Sequence, residues 1–68
     1  MIPEVGKTYT YIGPNKHYCG KKCKIVDLSE YKEHKYPGAL VRITFLHEKK
    51  GKNGYMIWAV QVKMLKKI

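Results

Sequence analysis

Acid is scarce in this chain and arginine nearly absent. Five of its 68 residues are Asp or Glu, against fourteen Lys and Arg, which leaves a formal net charge of +9. The five acids are scattered, and only Glu30 and Glu33 are near neighbours. They offer no pair of carboxylates for general acid–base work. Arg42 is the one arginine among the fourteen cations. Lysine is a mobile point charge, whereas arginine gives the planar, bidentate contacts that read guanine edges and phosphates. A lysine-built surface is expected to meet a polyanion through its backbone and to carry little base specificity.

Long apolar runs are also missing. The longest are Ala39-Leu40-Val41 and Met56-Ile57-Trp58-Ala59-Val60, far short of the ~20 residues of a membrane span. Met1-Ile2-Pro3-Glu4 has neither the basic start nor the apolar stretch of a secretory leader. The cytoplasm is the expected compartment, a membrane is not an expected partner, and the two cysteines are expected to stay reduced. Repeats and low-complexity segments are absent, so one domain is expected over residues 1–68.

What is present makes a folded core. The chain is 44% hydrophobic and 12% aromatic, too rich in both for a disordered segment. The apolar period is two. Lys7–Ile12 sets Tyr9 and Tyr11 on one face, and Cys23–Leu28 is a second β-favouring run. Leu40–Leu46 sets Val41, Ile43 and Phe45 against Arg42 and Thr44, and Tyr55–Val60 is a fourth run. Turn formers separate them: Gly13-Pro14-Asn15, Pro37-Gly38, and Gly51-Lys52-Asn53-Gly54, which reads as a hairpin loop. Ser29–His34 predicts a single helical turn capped by Ser29, and Gln61–Lys66 a 3₁₀ turn before a last strand, Met64–Ile68. Four or five short strands bury one face and hide most edges by rolling into a small barrel. Tyr9, Tyr11, Phe45 and Trp58 are the expected aromatic core.

The order of these signals resembles the small SH3-like barrels, in particular their KOW and Tudor-like branch. The resemblance rests on Val5-Gly6-Lys7 before strand one, a basic loop from Gly13 to Gly20, and Cys23-Lys24-Ile25-Val26 opening the next strand. It continues in Val41-Arg42-Ile43-Thr44-Phe45 and the closing Val60–Leu65, and covers roughly residues 4–68. It implies an all-β SH3-like barrel of four to five antiparallel strands with a short 3₁₀ turn. It also implies a binding role like that of small basic domains among bacteriophage early proteins and accessory transcription and translation factors.

His17, Cys19 and Cys23 form the one cluster with metal-ligand character, and His34 or His47 would supply a fourth group. Structural zinc pairs are usually closer, as C-x₂-C, with a second pair to match. The expectation is no metal and no cofactor, with Cys23 a small buried residue at a strand start. A Cys nucleophile beside His17 lacks an orienting acid, and so small a chain has little interior for a pocket. The protein is not expected to be an enzyme.

The basic groups carry the functional expectation. A positive field gathers polyanions, of which nucleic acid (RNA or DNA) is the commonest; an acidic protein surface and an anionic membrane are rivals, and solubility alone is the bland alternative. The candidate binding residues are Lys16, Tyr18, Lys21, Lys22 and Lys24 around the first loop, Tyr36 beyond the helical turn, and Lys49, Lys50 and Lys52 in the hairpin loop. Tyrosines beside lysines can stack on bases or anchor a protein partner. Two functions follow: a regulator that binds nucleic acid or nucleoprotein with little sequence specificity, or a module that occludes an acidic surface of a partner protein.

Overall fold

A computed structural model describes residues 2–48 and 56–68. Five antiparallel strands make one sheet: β1 (Thr8–Tyr11), β2 (Lys22–Asp27), β3 (Leu40–Phe45), β4 (Trp58–Gln61) and β5 (Leu65–Lys67), in the order β4-β3-β2-β1-β5. A 3₁₀ turn, Val62–Met64, joins the two edge strands β4 and β5. Among the described residues the single α-helical element, α1 (Tyr31–His34), is one turn long. This is the small all-β fold expected of the strand pattern. Its strand order and 3₁₀ turn are compatible with an SH3-like fold. Among the described residues no helix is long and apolar enough to cross a membrane.

The period of two decides the core. Tyr9 and Tyr11 of β1, Cys23 and Ile25 of β2, Val41, Ile43 and Phe45 of β3, Val60, Val62 and Leu65 are all buried in one cluster. Side chains from both edges of an open sheet reach one cluster only because the sheet coils around it. Phe45 is the largest fully buried side chain. Its ring stacks on Tyr18 with centroids 4.4 Å apart and meets Tyr11 and Trp58 edge-on at 5.6 and 5.9 Å. Trp58 is half-buried at the rim of this core rather than inside it.

Local chemistry fixes the turns. Asn15 anchors the first loop: its side-chain oxygen accepts from the His17 N–H at 3.1 Å, and its carbonyl accepts from Tyr18 and Cys19. Gly20 closes the loop at φ +88°, a region that side chains rarely adopt, and its N–H donates to the Tyr11 carbonyl at 2.8 Å. Gly13 is needed for space, because a Cβ there would collide with the Tyr11 phenol. The helical turn differs from its expected cap. Ser29 has φ 48° and lies outside the turn, its N–H donating to the Asp27 side chain at 2.9 Å, and Glu30 is the N-cap without a side-chain bond. Asp27, two residues earlier, out-competes the serine by folding its own carboxylate back on the chain.

Candidate phosphate-binding sheet face

Alternation puts the complement of the core on the outer face of the sheet. On β1 these positions are Thr8 and Thr10, on β2 Lys22 and Lys24, on β3 Arg42 and Thr44. Pairing then sets them in rows. Lys66 of β5 lies opposite Thr10, and Thr10 lies opposite Lys22. Thr8 lies opposite Lys24, and Lys24 opposite Thr44. Neighbours within a row stand ~4.8 Å apart and the two rows ~7 Å apart, as strand geometry dictates. Lys22, Lys24 and Lys66 are exposed, and Thr8 and Thr10 half-buried between them. The result is a grid of three ammonium groups with hydroxyls in between.

One acid borders this grid: Glu4 shares a groove with Lys7, Thr8 and Lys67. Glu4 binds Lys7 at 2.7 Å, which lowers the Glu4 carboxyl below its ordinary range through that hydrogen bond and charge. Asp27 lies opposite Arg42 because β2 bulges between Ile25 and Asp27. The Ser29 N–H holds its carboxyl low, helped by the charges of Lys32 and Arg42. Arg42 is thereby matched by an acid and bounds the cationic field. Glu30 and Glu33 belong to the helical turn. Glu48 is occupied: its carboxylate accepts from the Trp58 indole N–H at 2.8 Å and from the Tyr18 hydroxyl at 3.2 Å.

The candidate residues thus separate. Lys22 and Lys24 come together on the outer face. Lys21 belongs to the turn before β2, and Lys16 is exposed in the turn that follows Asn15. Tyr18 is half-buried, its ring against Phe45 and its hydroxyl on Glu48; burial first, then the charge and hydrogen bond of Glu48, raise its ionisation above the ordinary tyrosine range. Tyr36 is 49% exposed. It precedes β3, at the opposite end of the sheet from the first loop. Lys49, Lys50 and Lys52 lie outside the described residues, as do the hairpin-loop turn at 51–54 and the start of the Tyr55–Val60 run. Lys66 reads in the sequence only as one of a basic C-terminal group with Lys63 and Lys67, and Thr8, Thr10 and Thr44 carry no binding signal there. The signal for them was present only in the pairing of distant strands.

Two further features border the grid. Thr44 is 5% exposed, yet its Oγ1 has no hydrogen-bond partner among the described residues. It lines a groove of about 280 Å³ with Lys24, Val26, Phe45, Leu46 and Ile57. Val26, Leu46 and Ile57 are exposed apolar side chains on this side of the molecule. The cysteines go separate ways. Cys19 is exposed, whereas Cys23 is buried with its thiol donating to the Tyr9 carbonyl at 3.5 Å, and burial pushes its ionisation up to about 11. A thiol turned into the core cannot share a metal with His17 and Cys19. Among the described residues no three His, Cys, Asp or Glu side chains converge.

No family model matches this chain, and neither does any curated protein or any solved structure.

Proposed function

We propose that this protein is a small basic binding module, not an enzyme, that holds nucleic acid by its phosphates with little sequence specificity. The reading extends the KOW and Tudor-like resemblance of the sequence and the role of a cytoplasmic, nucleoprotein-associated regulator that goes with it. The observation that carries it is the grid of Lys22, Lys24 and Lys66 around Thr8 and Thr10, bordered by one carboxylate, Glu4, which is paired with Lys7. Ammonium groups neutralise phosphates and release their counterions, and hydroxyls add short hydrogen bonds to phosphate oxygens. Lysines on paired strands keep a fixed spacing, so several phosphates are met at once. The test is a titration of labelled mixed-sequence DNA and RNA followed by fluorescence anisotropy. Binding at low salt that weakens steeply as salt rises is the expected result. No binding at low salt, where attraction is strongest, contradicts the reading.

A second reading has its own observation. Val26, Leu46 and Ile57 form an exposed apolar margin beside Lys24, and an apolar patch rimmed by charge suits a protein partner with an acidic surface. Such a module would act as a phage-type inhibitor, occluding that surface. Under this reading Leu46→Ala and Ile57→Ala would reduce partner capture more than any lysine pair, and capture would survive nuclease treatment.

A further inference from the structure

We infer that the ligand of this sheet face is a nucleic-acid duplex rather than a single strand; the inference rests on the nucleic-acid reading above. Proteins that hold single strands offer their unpaired bases aromatic rings to stack on. The rows Lys66-Thr10-Lys22 and Thr8-Lys24-Thr44 contain none. Among the described residues the rings have been withdrawn elsewhere. Tyr9, Tyr11 and Phe45 are in the core, and Tyr18 and Trp58 are tied down by Glu48. Tyr31 is half-buried on α1. Tyr36 is exposed but lies beyond Leu40, four residues along β3 from Thr44, or ~14 Å away at strand rise.

What the face does offer suits two paired backbones. Its cations stand on hydrogen-bonded strands, so their roots are fixed relative to one another, as the phosphates of a duplex are. Thr8 and Thr10 have short side chains that reach only a phosphate lying close against the sheet. Duplexes present phosphate and sugar outward and hide base faces, so two rows without rings forfeit nothing against them; the rings nearest the margin, Phe45 and His47, are packed on each other at 5.7 Å. Duplex DNA also carries one charge per ~1.7 Å of axis against ~3.4 Å for one of its strands, which favours a short, dense cationic grid.

The experiment compares three labelled probes of one length and mixed sequence: single-stranded DNA, the same strand annealed to its complement, and an RNA duplex. Anisotropy is read at low salt with wild type and with Lys22→Ala/Lys24→Ala, whose exposed side chains can be removed without touching the core; circular dichroism confirms that each variant is folded. Duplex probes are expected to bind tighter by on the order of tenfold, the double variant to lose that preference, and Trp58 and tyrosine emission to stay unquenched. Equal or tighter binding of the single strand, with quenching, overturns the inference and leaves the nucleic-acid reading standing. A duplex preference that survives Lys22→Ala/Lys24→Ala also overturns it, since the ligand then lies off this face. Failure of all three probes to bind overturns both.

Discussion

Tyr18 and Glu48, thirty positions apart in sequence, are joined by a hydrogen bond of 3.2 Å from phenol to carboxylate. The same carboxylate takes the Trp58 indole N–H at 2.8 Å. One acid thus pins the first loop and the start of β4 to the end of β3, and it closes the aromatic cluster over Phe45. The consequence for function is indirect: the rings best placed to meet a ligand beside the lysines are spent on holding the fold together.

Removing that clamp is expected to loosen the molecule without unfolding it. Glu48→Ala leaves two half-buried donors without their acceptor, at a cost of about 1–2 kcal/mol. Urea unfolding followed by Trp58 emission reads the loss, and the native emission moves to longer wavelength as the indole gains water. Unchanged stability and emission would mean that the carboxylate contributes nothing.

Phe45→Ala tests the core. The side chain is 2% exposed, with the rings of Tyr11, Tyr18, His47 and Trp58 all within 6 Å of its own. Deleting it is expected to cost about 3–5 kcal/mol, enough to unfold much of so small a domain. Circular dichroism and the urea midpoint measure it; a loss below about 1 kcal/mol would place the ring outside the core.

Thr44→Val should go the other way. The hydroxyl is buried without a partner among the described residues, and valine keeps its shape while removing an unsatisfied polar atom. Stability is expected to rise by about 1 kcal/mol. A fall would show that the hydroxyl has a partner that matters.

The buried thiol predicts an alkaline limit. Burial raises Cys23 from 9.0 to about 11, so the folded state keeps its proton where the unfolded chain releases it. The resulting stability is complete below pH 9 and is lost as pH climbs through 11. The readout is the difference between wild type and Cys23→Ala in urea midpoint, which cancels every group common to both. That difference should be constant from pH 7 to about 8.5 and shift against wild type above pH 9. A difference that stays flat to pH 11 would contradict the burial argument.

Much of the fold was legible because it is locally encoded. Alternation in Val41-Arg42-Ile43-Thr44-Phe45 fixes which side chains enter the core, and Gly13-Pro14-Asn15 and Pro37-Gly38 mark the reversals. The face was much less so. That Lys66 lies beside Thr10, and Thr10 beside Lys22, depends on which strands pair and in what register, and long-range pairing leaves no mark in any one segment. Adjacent Lys21 and Lys22 look like one basic unit in the sequence, yet β2 begins at Lys22, and Lys21 belongs to the turn before it, its N–H donating to the Tyr18 carbonyl. Tyr18 reads as a loop aromatic, and only the approach of Glu48 from β3 shows that its hydroxyl is taken. Thr44 reads as an outward residue; it pairs with outward Lys24 yet is only 5% exposed, at the bottom of a groove with Val26, Leu46 and Ile57.

The most direct measurement of the central claim is the salt dependence of duplex binding for wild type, Lys22→Ala/Lys24→Ala and Lys32→Ala/Lys35→Ala. The two variants lose equal charge, but Lys32 and Lys35 lie on and beside α1 with Glu30 and Glu33, away from the grid. If Lys22 and Lys24 each neutralise one phosphate, log affinity against log salt should lose about 1.8 of its slope in the first variant. In the second the slope should stay that of wild type. Equal losses in both variants would mean that net charge alone drives binding, and a loss confined to Lys32→Ala/Lys35→Ala would put the phosphate-binding surface at the other end of the molecule.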